Sequence, residues 1–202
     1  MHLAPTRVSP FLLLIALFFS AAMVGCDSAR QAVRFHAADV TGVPYGKDFR
    51  LQAVDGGERT LADFRGKVVL LFFGFVQCPD VCPTALTRAV EIKRLLGSDG
   101  ERFQPIFVTV DPERDTAAIL REYMRAFDPG FVALYATPDV TRKTADEFRV
   151  HYAKVPTGSS YTMDHTAASY LFDPAGRLRL VASHSASAAD VADDVRLLLR
   201  ER

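Results

Sequence analysis

Two cysteines separated by three residues are the strongest chemical signal in this sequence. They are Cys78 and Cys82 in GFVQCPDVCP, and a proline follows each of them. Two sulfurs this close in the chain can form a disulfide, or they can bind one soft metal ion together. Two thiolates alone leave a metal ion with too few ligands, so a metal site here requires a third donor from elsewhere in the chain.

The two cysteines lie where a buried strand is expected to meet a helix. Residues 67–76 are apolar at consecutive positions, which is typical of a central strand covered on both faces. Residues 84–97 show helical spacing, and Pro83 fits best at the first helical position, so we predict Cys82 at the N-cap and Cys78 in the preceding loop. The positive end of the helix should then lower the pKa of Cys82 and make its thiol reactive.

The third donor is expected among the histidines, and His165 is the best placed of them. It lies in YTMDHTAASYLFD, next to Asp164, in a predicted loop directly before a strand. A lone histidine is more often a structural or surface residue than a ligand, so residue type alone favours His165 only modestly. The other histidines beyond the first 25 residues are His36, His151 and His184.

The elements that must position these residues alternate between strands and helices. We predict a hairpin over 49–54 and the short run after Gly57, strands at 67–76, 104–110 and 131–136, and a second hairpin from 168–173 and 178–183. Helices are predicted at 84–97, from Asp115 or Thr116 to 127, at 139–150 and from Ser187 onward. In the second helix the inward face should carry Ile119, Leu120, Tyr123 and Phe127. This order predicts an α/β three-layer domain with a mixed central sheet and an N-terminal β-hairpin.

The N-terminus is typical of an export signal. Residues 11–24 form an uninterrupted apolar run of about 21 Å as a helix, which is short of the roughly 30 Å hydrocarbon core of a bilayer. The run ends in MVGC, which resembles a bacterial lipoprotein cleavage box and predicts that Cys26 becomes the acylated N-terminus. Asp27 resembles the signal that retains lipoproteins on the inner membrane; the alternative is an uncleaved anchor.

These observations divide the chain into three parts: a signal peptide at 1–25, a polar membrane tether at 26–47 and one domain at 48–202. The sequence has three cysteines; if Cys26 carries the lipid, Cys78 and Cys82 remain as one pair of thiols in an oxidising compartment. The 24 basic and 24 acidic residues of the whole chain cancel, which gives no indication of a nucleic-acid partner.

Three segments together resemble the Sco/SenC family of copper-handling proteins with a thioredoxin-like fold. They are LADFRGKVVLLFFGFVQCPDVCP, FVTVDPERDT and YTMDHTAASYLFDPAG, in this order and spacing. The similarity extends from about Val40 to the C-terminus. Its specific element is the CPDVCP motif followed about 80 residues later by an Asp-His pair.

The resemblance implies that Cys78, Cys82 and His165 bind copper and that Asp164 supports the site as a neighbouring acidic group. Two thiolates and one imidazole form a soft, low-coordinate set that suits Cu(I), with Cu(II) left open. Zinc would want a fourth ligand, either water or Asp80. For Asp164, orientation of the histidine ring and a simple turn-forming role are both open.

The function implied by the resemblance is that of a copper metallochaperone on the periplasmic face of the bacterial inner membrane. It would deliver copper to the dinuclear site of cytochrome c oxidase subunit II, and it would need a periplasmic copper donor and a thiol reductant. The alternative is a thiol–disulfide reductase that uses Cys78 and Cys82 on the cysteines of that copper site. A peroxidase is disfavoured because Phe75 and Val76 stand where a peroxidatic cysteine usually has a threonine.

Residues near the motifs are expected to have structural roles. Asp111, Arg114 and Asp115 should order the turn after the second buried strand, with a docking role as the weaker alternative. Met124 and Met163 are expected to pack in the core, because scattered methionines seldom bind metals.

Overall fold

The computed structural model describes residues 34–201 of the 202-residue chain. The predictions for the signal peptide, for Cys26 and for the first part of the tether lie outside the described residues. Among the helices of this described part, none combines the length and apolar character that a membrane crossing requires.

A mixed sheet of eight strands forms the centre of the domain. The strands are β1 (Ala38–Asp39), β2 (Leu51–Ala53), β3 (Glu58–Arg59), β4 (Val68–Gly74), β5 (Phe103–Thr109), β6 (Val132–Tyr135), β9 (Ser169–Phe172) and β10 (Leu178–Ala182). In space these strands follow the order β1-β10-β9-β4-β5-β6-β2-β3. The pairs β4–β5 and β5–β6 are parallel, and the other neighbours are antiparallel.

β4 is the central strand, and all seven of its residues are buried. Consecutive side chains of a strand point to opposite faces of the sheet. The Phe72 ring packs near Phe107, whereas the next ring, Phe73, packs on Phe148 and Tyr170. Both faces of the sheet are therefore covered, which confirms the three-layer α/β prediction and explains the continuous apolar sequence of β4.

Four helices complete the described domain, and three of them begin after a hydroxyl residue; Thr116 and Ser187 were predicted as such starts, whereas Thr137 was not. The Thr116, Thr137 and Ser187 side chains accept N–H bonds from the first turns of their helices. Ile119, predicted to point inward, is exposed, because the buried stripe of its helix consists of Leu120 and Met124. The helices are α1 (Val81–Leu96), α2 (Ala117–Arg125), α3 (Pro138–Glu147) and α4 (Ala188–Arg200).

One hairpin lies outside the eight-stranded sheet, and the sequence did not predict it. Strands β7 (Tyr152–Thr157) and β8 (Ser160–His165) pair only with each other in a two-stranded antiparallel sheet. Most of β7 is exposed, and it contains Pro156, so neither alternation nor apolar content marks it as a strand. The prediction that His165 lies in a loop is wrong, since His165 is the last residue of β8.

The predicted tether is attached to the domain over residues 34–47. β1 pairs antiparallel with β10 at this point. The buried Asp194 carboxylate accepts the backbone N–H groups of His36 and Ala37, each at 2.8 Å. The domain thus begins before residue 48, and polar composition gave no sign of this because the attachment uses backbone groups.

We expect Asp194→Ala to release this segment. The substitution leaves two backbone donors without their acceptor, so the free energy of unfolding should fall by about 1–3 kcal/mol. Asp193→Ala is the matched control on the same helix, because Asp193 is exposed and bonds only to Arg196. Its effect should stay within about 0.5 kcal/mol. Denaturant unfolding of the two variants measures the difference, and equal effects would contradict the attachment.

Candidate metal centre

Three predicted site residues converge at the carboxyl end of β4. One donor atom each from Cys78, Cys82 and His165 lies within 4.8 Å of the other two. The Cys82 Sγ is 3.6 Å from His165 Nε2, and the Cys82 backbone N–H donates to Cys78 Sγ at 3.3 Å. Both cysteines are free thiols. Residues that are more than 80 positions apart in the chain therefore face one common point.

The first turn of α1 carries Cys82, but not at the predicted position. The helix begins at Val81 with Asp80 at the N-cap, so Cys82 and Pro83 are its second and third residues. The prediction of Cys82 at the N-cap and Pro83 at the first position is wrong by two residues. The physical reason is that a proline is tolerated throughout the first turn, where its missing N–H has no helical partner.

Burial governs the Cys82 thiol. The residue is fully buried, and this desolvation raises the pKa of Cys82 above its ordinary value. The lowered pKa of Cys82 that the helix terminus predicts is wrong, because loss of water outweighs the effect of the helix. Cys82 is therefore a thiol that will lose its proton only when a positive partner replaces the missing water.

Gly74 makes room for the Cys82 sulfur. A Cβ atom at residue 74 would lie 2.7 Å from Cys82 Sγ, 2.8 Å from Phe107 and 3.0 Å from Phe72. Real Cβ atoms do not approach other heavy atoms so closely, so the sulfur can occupy this place only beside a glycine. A glycine inside an apolar strand is the sequence signal that would have indicated this close approach.

The His165 ring is oriented by a backbone carbonyl. Its Nδ1 lies 3.1 Å from the Thr166 carbonyl oxygen, which can only accept, so Nδ1 carries the proton and Nε2 presents its lone pair towards the sulfurs. Phe72 and Phe75 contact the ring edge-on, with centroids 6.0 and 5.8 Å away. The ring is thus held by its surroundings in the tautomer that a metal ligand needs.

Burial also keeps this ring neutral. It lowers the pKa of His165, while the Thr166 carbonyl and the charge of Asp164 act in the opposite direction. Asp164 is exposed on β8 opposite Ala153. It influences the ring through its charge, and the contact at Nδ1 belongs to Thr166, a residue that sequence reasoning missed.

Arg114 connects the two parts of the site. Its Nη1 donates to the Gln77 side chain at 3.0 Å and to the Tyr161 carbonyl at 2.7 Å, and its guanidinium stacks on the Tyr161 ring at 3.7 Å. Its Nε donates to Asp111, which also accepts from the Tyr161 hydroxyl at 2.8 Å. Gln77 precedes Cys78, and Tyr161 belongs to the strand that ends at His165. The predicted turn-ordering residues therefore join the cysteine loop to the β7–β8 hairpin.

The nearby methionines and Asp115 have structural contacts. Met124 and Met163 are buried in the core. The Asp115 Oδ2 accepts from the Thr109 hydroxyl at 2.6 Å and from the Val76 N–H at 3.1 Å, which ties the cysteine loop to the end of β5.

The donor set fits a soft, low-coordinate metal ion. Among residues 34–201, the only group of potential ligands brought together in this way consists of two sulfurs and one imidazole, with no carboxylate. Asp80, considered as a fourth zinc ligand, is instead the N-cap of α1, and its Oδ1 accepts from Thr84. Cys78 is half-buried, so the site opens towards solvent on the side of this sulfur.

Comparison with known proteins agrees with this geometry. The sequence profile described as SCO1/SenC matches residues 38–200. The chain belongs to the SCO1/SenC family. This confirms the resemblance drawn from the three motifs, and the family's thioredoxin-like fold agrees with the mixed sheet and helices described above.

Individual SCO1/SenC proteins show how close the similarity is. The bovine (Bos taurus) mitochondrial SCO2 homologue is 37% identical over 174 residues, which cover 84% of this chain and 65% of the relative. The structure of Bradyrhizobium japonicum ScoI with copper bound is 39% identical, with a TM-score of 0.70 over 76% of this chain and 99% of the other. Yeast Sco1 with copper bound is 31% identical, with a TM-score of 0.70 over 78% and 90%. The chain thus spans about two thirds of the bovine relative.

We expect Gly74→Ala to disturb the site through the Cys82 sulfur. The added methyl group overpacks the pocket and should lower the free energy of unfolding by about 1–3 kcal/mol. In a Cys82→Ala background the same substitution should cost less, because the nearest clashing atom is gone. A double-mutant cycle from denaturant unfolding measures this coupling, and additive effects would show that sulfur and glycine are independent.

Arg114→Ala should loosen the β7–β8 hairpin. Loss of the guanidinium removes its bonds to Gln77, Tyr161 and Asp111, so we expect a stability loss of about 1–3 kcal/mol and faster amide hydrogen exchange in β8. Arg125→Ala is the control, since this exposed arginine makes only a 4.0 Å ion pair with Glu122. Unchanged exchange in β8 of the Arg114 variant would rule out the connecting role.

Proposed function

We propose that this SCO1/SenC protein binds one copper ion through Cys78, Cys82 and His165 and passes it to a partner as cargo. The observation that carries the proposal is the convergence of the three donor atoms within 4.8 Å of one another. The copper-bound structures of similar family members support the choice of metal.

The chemistry of the donors favours Cu(I). Two thiolates and a neutral imidazole are soft ligands, and Cu(I) accepts a coordination number of three or fewer. Two thiolates and one Cu(I) leave a net charge of −1, which the positive end of α1 beside Cys82 partly offsets. Loading releases the proton of the buried Cys82 thiol, so the metal supplies the positive partner that this sulfur lacks.

Delivery would begin at Cys78. Cys82 is fully buried, whereas Cys78 and His165 are both half-buried. Of these two, His165 is held by Phe72 and Phe75 on either side of its ring, and Cys78 lies in the loop before α1. An incoming ligand of the partner can reach the metal on this side and replace the Cys78 sulfur first. The proposed recipient is the dinuclear copper site of cytochrome c oxidase subunit II, as the family resemblance implies.

The proposed location is the periplasmic face of the bacterial inner membrane, with a lipid on Cys26 as anchor. The support is the sequence of the first 27 residues. In that oxidising compartment a disulfide between Cys78 and Cys82 would consume both sulfur ligands, so a thiol reductant is needed before a periplasmic donor can load copper.

A thiol–disulfide reductase is the second candidate, favoured by the unequal exposure of the two sulfurs. The Cys78 thiolate would attack a disulfide of the target and form a mixed disulfide. Cys82 would then displace the target sulfur, so that the target gains two thiols and this chain is oxidised to a Cys78–Cys82 disulfide. The raised pKa of Cys82 and the imidazole beside it suit metal binding better than this second step.

Copper titration of the reduced full-length protein separates the two candidates. Under anaerobic conditions, competition with a Cu(I) chelator should give one tightly bound ion. We expect Cys78→Ser, Cys82→Ser and His165→Ala to weaken binding by more than about 100-fold, beyond the 10–100-fold effect of losing an outer contact. The control is the exposed His151→Ala, which should bind as the parent does.

The opposite result would support the reductase. If His165→Ala binds Cu(I) with the affinity of the parent while the protein rapidly reduces an insulin disulfide, the proposed copper function is wrong. Delivery is tested separately by mixing the copper-loaded protein with the copper-free soluble domain of subunit II. Absence of copper transfer under reducing conditions would contradict the proposed recipient and leave the copper site itself intact.

A further inference from the structure

A cleft of about 610 Å³ lies at the end of the sheet opposite to the metal centre. It is lined by Leu178, the first residue of β10, which pairs with Phe172. Phe172 in turn pairs with Val69 at the start of β4, whereas the metal centre lies at the carboxyl end of that strand. The volume is within the range of about 300–1,000 Å³ that small-molecule sites occupy. A ligand in this cleft would therefore be bound separately from copper.

The walls of the cleft are fixed by hydrogen bonds of the segment that follows β1. The Arg179 Nε donates to the Thr41 hydroxyl at 2.8 Å, and the Glu147 carbonyl oxygen accepts the Gly46 N–H at 2.9 Å. Three lining residues have no side chain that could fill the space: Gly42, Gly46 and Gly176. The cleft is thus formed by the folded chain itself, which reduces the ordering cost of binding a ligand.

The side chains of the lining combine apolar surface with an excess of positive charge. The apolar surface comes from Val43, Tyr45 and Leu178. The charged lining residues are Lys47, Arg177, Arg179 and Glu201. Three of these four are cationic, so the charge favours an anion, while the apolar surface favours a hydrocarbon body.

Lys47 is the cation of the cleft that remains available to a ligand. Arg177 pairs with Asp173 at 2.7 Å, and the Arg179 Nη2 donates to Glu201 Oε1 at 3.2 Å. Lys47 is exposed and forms no ion pair within residues 34–201. The Arg179–Glu201 contact also shows that the cationic wall accommodates a carboxylate, here one that the chain itself supplies.

We propose that this cleft binds a small aliphatic carboxylate. The hydrocarbon part of the ligand lies against Val43, Tyr45 and Leu178, and its carboxylate pairs with Lys47. The Glu201 carboxylate lies at the same cleft and repels the ligand, so it lowers the affinity for the anion. The site goes beyond the copper function and shares no residue with the metal centre.

The probe is octanoate, titrated calorimetrically into the reduced full-length protein in a neutral detergent. We expect saturable binding to the parent. Lys47→Gln should weaken it by about two- to fivefold, which is the size of a solvent-screened charge interaction. Glu201→Gln should strengthen it by a similar factor, because the repelling charge is removed. A gain in affinity cannot arise from partial unfolding, so the two opposite effects separate a binding role from a structural one.

The matched control is Lys143→Gln. Lys143 is an exposed lysine of α3 outside the lining, so this variant should bind octanoate as the parent does, and it also measures uptake of octanoate by the detergent. Replacing octanoate by hexanoate should weaken binding roughly fifteenfold, since burial of one CH₂ group is worth about a factor of four. Amide exchange at Gly46 should slow when octanoate binds. Absence of saturable binding, or equal affinities of the Lys47, Glu201 and Lys143 variants, would overturn the proposal.

Discussion

The placement of one sulfur against a strand backbone is the constraint on which the site depends. The Cys82 Sγ occupies space that exists because residue 74 has no side chain, and it is sealed there by Phe72 and Phe107. Enclosure on this scale removes water from the thiol and raises its pKa despite the helix terminus beside it. A reactive thiol of the thioredoxin type would need the opposite balance. The packing at Gly74 thus opposes the lowered thiol pKa that disulfide exchange requires.

The remaining ligands are brought to this sulfur by two different kinds of contact. Cys78 is held by local chain geometry, since it accepts the N–H of Cys82 within one short loop. His165 comes from a distant hairpin, and its approach is set by Arg114, Tyr161 and the aromatic rings around it. The local contact fixes the pair of sulfurs, whereas side-chain contacts between separate elements fix the imidazole.

The sequence predicted the parts of the fold that periodicity and apolar content determine. The buried strands β4 and β5, the β9–β10 hairpin and the caps at Thr116 and Ser187 follow from local patterns. Strands β7 and β8 did not, because an exposed hairpin with a proline has no core-facing pattern to detect. The attachment of residues 34–47 also escaped prediction, since backbone N–H groups bonded to Asp194 leave no trace in residue type.

Sequence and resemblance together named the three donors that the fold brings close to one another, but they did not predict the physical character of this cluster. His165 was singled out mainly by family resemblance, because residue type alone could not distinguish it from His151 or His184. The direction of the Cys82 pKa shift was predicted incorrectly, because it depends on how deeply the Cys82 sulfur is buried. This burial beside Gly74 exists only in the folded chain. The role of Thr166 in orienting the ring likewise depends on three-dimensional contact.

The β7–β8 hairpin has its own backbone ladder, and within the described residues it shares no strand pairing with the eight-stranded sheet. Its attachment relies on side-chain contacts such as those of Arg114 and the Lys154–Glu113 pair. Breaking these contacts leaves every ladder of the main sheet intact, so the imidazole can detach in a local opening that costs much less than global unfolding. Opening of the hairpin that carries His165 is therefore thermodynamically separated from the integrity of the domain, because the main sheet does not have to unfold with it.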